Sequence, residues 1–172
     1  MPIVPDQKDW TWVLARPCPE CGFDISACTP ATAPGRVASM LPRWRAVLRR
    51  PDAAVRPDED TWSPLEYACH VRDVCRTFTE RVDLMLRREA PQFPNWDQDA
   101  AAVTARYHEQ DPAAVAQELR EAAADARDAF AAVEGEQWRR SGTRSDGSVF
   151  TVESLGQYFL HDLAHHLVDV SA

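Results

Sequence analysis

The chain has 172 residues, 45% of them apolar and 27% charged, with a net charge of −8. That describes one ordinary domain able to bury a core without disulfide staples. The acidic balance opposes binding to nucleic-acid phosphates, and no run of about eighteen apolar residues is present to span a membrane.

The N-terminus has no basic region followed by an apolar stretch, so no signal peptide is expected. A cytoplasmic chain is the default expectation, with cysteines as thiols or metal ligands rather than disulfides. Residues 1–35 read as an irregular arm packed on the body, with six prolines and three of the five cysteines. Trp10, Trp12 and Leu14 alternate with Thr11 and Val13, which predicts a short extended piece. Cys18-Pro19-Glu20-Cys21-Gly22 has the form of one zinc knuckle. A closed site needs about four ligands; Cys28 and Asp24 are the nearby candidates, and no second knuckle follows. A redox thiol pair and a purely structural arm are the competing readings of Cys18, Cys21 and Cys28.

From residue 36 onward the pattern is helical and forms one body, 36–172. Val37, Leu41, Trp44, Val47 and Leu48 predict a helix over about 36–50, with Pro42 either kinking it or lying in its first turn. Arg43, Arg45, Arg49 and Arg50 cluster on it and read as a solvated face, with an anion site as the rarer alternative. Ser63, Pro64 and Glu66 mark the start of a second helix running to about 89, with Trp62 and Tyr67 as a hydrophobic staple. Residues 90–110 read as a long crossover with a short helix near 99–107. Asp111-Pro112 opens a third long helix that Gly135 suits as an end. Residues 141–150 read as a turn or small hairpin, and Thr151 caps a last helix to about 170. The expected fold is all-α: a four-helix bundle with one long crossover.

His161 and His165 are four apart and share a helix face, roughly 140° from the centre of the apolar stripe of Leu163 and Leu167. His70 borders the inward face of the second helix. Three imidazoles from two helices can meet inside a bundle, where they would suit Zn²⁺, Ni²⁺ or Fe²⁺ with a vacant fourth position. Hydrogen-bonded flank histidines are the plainer alternative. His166 reads as a packing or supporting residue and His108 as exposed. Cys69 reads as core. Glu66, one turn before His70, could orient it or act as a general base, and its capping role explains it equally well. Asp73, Asp162 and Asp169 are further supporting candidates.

The stretch Trp62-Ser63-Pro64-Leu65-Glu66-Tyr67-Ala68-Cys69-His70-Val71-Arg72-Asp73 resembles the second helix of the DinB superfamily. His161-Asp162-Leu163-Ala164-His165-His166 resembles that family's closing His-x-x-x-His-His pattern, and Trp96-Asp97 resembles the stretch before its third helix. The resemblance spans about residues 36–170. It implies a four-helix bundle, often a homodimer, with His70, His161 and His165 as metal ligands. It also implies mycothiol- or bacillithiol-dependent transferase or isomerase chemistry, as in maleylpyruvate isomerase, although members without known activity belong to the family too. The arm at 1–35 departs from the family core.

The leading expectation is therefore an enzyme with one divalent ion, Zn²⁺ or Ni²⁺, acting on a small molecule. It would transfer a low-molecular-weight thiol that the metal holds as thiolate. Metal-dependent hydrolysis is the close variant. A non-catalytic metal-holding stress protein and an interaction module built on the cysteine arm are the other readings.

Overall fold

Side-chain caps start three of the four long helices. In the computed structural model, which describes residues 9–172, α1 spans Ala33–Val47, α2 Pro64–Arg87, α4 Pro112–Ala131 and α5 Val152–Asp169. The short helix α3, Gln98–Thr104, lies in the crossover. Ser63 and Glu66 form a reciprocal capping box at α2, Asp111 caps α4 and Thr151 caps α5, and each side chain satisfies an N–H that the first turn leaves without a partner. Trp62 and Tyr67 meet edge-on at 5.5 Å across the start of α2.

α1 begins earlier than its apolar pattern suggests and passes through Pro42 without ending. The cost is one backbone hydrogen bond, offset by the burial of Val37, Met40, Trp44 and Val47. Two arginines of the predicted solvated cluster have a specific task. Arg43 donates to the Ala172 carbonyl, and Arg50 donates to those of Val170 and Ser171, which ties the end of α5 to α1.

α2 packs most extensively on α4 and also on α5, while α1 packs on α4 and α5. The order around the bundle is α1, α4, α2, α5, so α1 and α2 sit diagonally. Phe130 of α4 stacks on Phe159 of α5, which stacks on Phe78 of α2, at 5.5 and 5.3 Å between ring centres.

The crossover and the predicted hairpin join into a small sheet. Strands β2 (Ser141–Arg144) and β3 (Val149–Thr151) pair antiparallel, and β1 (Gln92–Phe93) adds to β2 in parallel. Gly142 is required there: a Cβ would come within 2.8 Å of the Phe93 ring and 3.0 Å of Met85. Gly135 does not end α4, which stops at Ala131; it opens a separate 3₁₀ turn, Gly135–Arg139.

The arm follows the same body closely. Residues 1–8 of the expected arm lie outside the described residues. Trp10–Leu14 forms a 3₁₀ turn rather than an extended strand, because Asp9 accepts from the Thr11 N–H and hydroxyl. Val13, Cys18, Phe23 and Cys28 are buried against the bundle. Among the described residues, no helix is long and apolar enough to cross a membrane.

Candidate metal centres

Helix α5 presents two ligand-bearing faces one residue out of step. His161 and His165 share one face, and Asp162 and His166 share the next, about 100° around the helix. The arm covers the first face and α2 the second. The structure therefore divides the expected triad: His161 and His165 gather with Cys18 and Cys21, whereas His70 gathers with Asp162 and His166. Within each group the ligand-type atoms all lie within 4.8 Å of one another.

In the α2-facing group, His70 is 1% exposed, its ring stacked on Trp96 at 5.4 Å and flanked by Trp62 at 5.5 Å. Its Nε2 lies 3.4 Å from Asp162 Oδ1 without hydrogen-bond alignment, and His166 Nε2 lies 3.7 Å from the same oxygen. His166 Nδ1 is 2.7 Å from Asp169 Oδ2. A carboxylate on Nδ1 fixes the tautomer that turns the Nε2 lone pair toward a metal, the usual support for a ligating histidine. Burial lowers the His70 pKa and so favours the neutral imidazole. Burial alone would raise the Asp162 carboxyl, but the surrounding histidines, His70 foremost, outweigh it and hold it down to about 2.

A cleft of about 580 Å³ opens onto this group, with His70 and Asp162 in its wall beside Trp96, Tyr158, Arg81 and Arg144. Arg144 pairs with Asp146 at 2.7 Å. Arg81 lies over the Phe78 and Phe93 rings and donates to the Pro94 carbonyl; burial and the neighbouring Arg144 pull its pKa down to about 10.

In the arm-facing group, Cys18 Sγ is 3.7 Å from His165 Nδ1, and the Trp10 ring packs on His165 at 4.9 Å and on His161 at 5.7 Å. Phe23 meets His161 edge-on at 5.6 Å. Burial lowers the pKa of both histidines, that of His161 to about 4. Burial also pushes the Cys21 thiol up to about 11 and raises that of Cys28. An exposed redox nucleophile calls for the opposite shift.

Two expected participants are engaged elsewhere. The Glu66 carboxylate accepts from the Ser63 N–H, the Ser63 hydroxyl and the Arg56 guanidinium, so it belongs to the cap of α2 and its Arg56 pair. Cys28 is buried beside its own turn, its Sγ 3.8 Å from the Asp24 carbonyl, and the Asp24 side chain caps that turn through Ser26. Neither joins the Cys18–Cys21 group. The sequence alone gives Asp162 and His166 supporting parts; the signal for a larger one is their own i, i+4 spacing, which overlaps that of His161 and His165.

The orphaned atoms fit metal ligation. Among the described residues, the buried side-chain nitrogens and oxygens without a hydrogen-bond partner are Trp44 Nε1, both ring nitrogens of His70, His161 Nε2 and Asp162 Oδ1. All but the tryptophan belong to the two groups; buried polar atoms are seldom left unpaired, and a bound metal ion is one thing that would satisfy these.

Comparison with known proteins supplies the lineage. No curated protein sequence matches the chain. Among solved structures, YfiT from Bacillus subtilis superposes with a TM-score of 0.75 over 91% of this chain and 89% of its own, at 17% identity. It is described as a probable metal-dependent hydrolase with an unusual four-helix bundle topology. The DinB superfamily model matches residues 38–169, which takes in α2, α4, α5, most of α1 and all five histidines but none of the arm cysteines; the chain belongs to the DinB superfamily.

Proposed function

We propose that this chain is a metal-dependent hydrolase whose divalent ion is held by His70, Asp162 and His166 at the wall of the cleft. The observation that carries this reading is the buried His70 ring, both of whose nitrogens lack a hydrogen-bond partner, with the equally orphaned Oδ1 of half-buried Asp162 3.4 Å away, at the wall of a cleft large enough for a small substrate. Two neutral imidazoles and one carboxylate are a donor set for Zn²⁺, Mn²⁺, Fe²⁺ or Ni²⁺. Three protein ligands leave a coordination place open, and a bound divalent ion would supply Lewis-acid activation of water or substrate there.

The chain's own residues do the rest. Trp96 stacks on the His70 ring and Trp62 packs against it at a tilt, which holds the ring in place. Asp169 holds the proton on His166 Nδ1, keeping Nε2 as a donor to the ion. Arg81 and Arg144 line the cleft and offer guanidinium N–H groups to an oxygen-rich part of the substrate. The thiol-transfer chemistry that the family resemblance implies on His70, His161 and His165 would, in this reading, take place at the ion held by His70, Asp162 and His166.

The test is metal content and turnover of the full chain, apo and reloaded with Zn²⁺, Mn²⁺ or Ni²⁺, against chromogenic ester and amide substrates. His70→Ala and Asp162→Asn are expected to lose one ion per chain and reduce turnover by about 100-fold or more. Unchanged metal content and turnover in both variants would overturn the site. Product formation only when a cysteine-type thiol is added would overturn hydrolysis in favour of S-transfer.

A further inference from the structure

We propose that Cys18, Cys21, His161 and His165 form a second, closed zinc site that pins the N-terminal arm to α5. It stands apart from the hydrolase reading, because its four ligands include none of the three assigned to the cleft. The four ligand-type atoms already lie within 4.8 Å of one another. A tetrahedral zinc ion, with Zn–S near 2.3 Å and Zn–N near 2.0–2.1 Å, spaces its ligand atoms roughly 3.3–3.8 Å apart. A contraction of about 1 Å, within the reach of side-chain rotations, completes that geometry.

The chain is built for it on both sides. Cys18-x-x-Cys21 and His161-x-x-x-His165 each have a usual zinc-ligand spacing. The cysteine turn is closed by backbone bonds: the Gly22 N–H donates to the Cys18 carbonyl at 2.8 Å, and the Cys18 N–H to the Phe23 carbonyl at 2.9 Å. Gly22 supplies the left-handed φ of +71° that the turn needs. On the helix side, His165 shows Nδ1 to Cys18 while its Nε2 faces Glu20 Oε2 at 3.4 Å, so a carboxylate backs a ligating imidazole.

Four protein ligands leave no place for substrate, and Trp10 and Phe23 pack over the histidines. The site is therefore structural. Loading would release two thiol protons to solvent, and two thiolates balance the dication, so the buried unit is neutral. Both cysteines precede the region matched by the family model, so the site is an addition of the arm to the bundle.

The experiment uses the full chain purified under reducing conditions and loaded with Co²⁺ or Zn²⁺. The expected result is two ions per chain and a thiolate-to-cobalt charge-transfer band. Cys21→Ser should lose one ion and the band, while His70→Ala loses the other ion and keeps the band. Peptide-mapped alkylation of the wild-type chain decides the matter even if Cys21→Ser folds poorly: Cys18 and Cys21 should react about tenfold faster or more once zinc is chelated. A wild-type chain without the thiolate band, a band that survives in Cys21→Ser, or alkylation indifferent to chelator would each overturn the proposal.

Discussion

Glu66 has its two carboxylate oxygens committed to the Ser63 N–H and hydroxyl, each at 2.9 Å, and to the Arg56 guanidinium. Burial pushes its carboxyl up, but the hydrogen bonds from Arg56 and Ser63 outweigh that and hold it below the ordinary carboxylate value. A carboxylate with a lowered folded-state pKa adds stability above its unfolded pKa, near 4.3, and loses it as the pH falls toward the folded value. Glu66→Gln should therefore cost about 1–3 kcal/mol at neutral pH. Urea unfolding at pH 7 and at about pH 3 should show that gap closing in acid; a gap of the same size at both would refute the assignment. The neighbouring histidines show what single residues reveal. Their type and i, i+4 spacing are enough to mark them as candidate ligands in the bare sequence. Which partners each face of α5 meets depends on a single-residue step, and on an arm whose path no helical period encodes.

Gly156 sets the closeness of α4 and α5. A Cβ there would stand 2.9 Å from Cε1 of Phe130, a ring locked between Phe159 and Trp138. Alanine ordinarily strengthens a helix by about 1 kcal/mol over glycine. Here overpacking of about 1–3 kcal/mol opposes that gain. Gly156→Ala should lower the unfolding midpoint of the chain, whereas a rise would mean that Phe130 can move aside. Capping and apolar periodicity make the long helices legible from sequence, since Ser63, Asp111 and Thr151 act within one turn of their own positions. The strand at Gln92–Phe93 is not legible: two residues carry no period, and they are extended because Pro91 and Phe93 meet the edge of β2 some fifty residues later. The run through Pro42 is illegible for a related reason, because burial of Trp44 and Val47 outweighs a local propensity.

At the scale of the whole molecule, α5 is the common wall of two differently built centres. One face looks across to α2 and a cleft; the other lies beneath the arm. If both hold ions, the fold's stability is linked to free metal, because a ligand that binds only the folded chain stabilises it by mass action. At a free zinc concentration about 100 times the dissociation constant, each site contributes about 2.7 kcal/mol. For a chain of this size that corresponds to roughly 5–11 °C in Tm per site, at about 2–4 °C per kcal/mol. Thermal unfolding with and without chelator should show the wild type losing both increments. Cys18→Ser should retain only the cleft's increment and His70→Ala only the arm's. The two will not sum strictly, since His161 and Asp162 are adjacent and a shift in one centre moves the backbone of the other. A wild-type Tm indifferent to chelator would deny metal to both faces of α5, leaving both ring nitrogens of His70, His161 Nε2 and Asp162 Oδ1 as buried atoms without a hydrogen-bond partner.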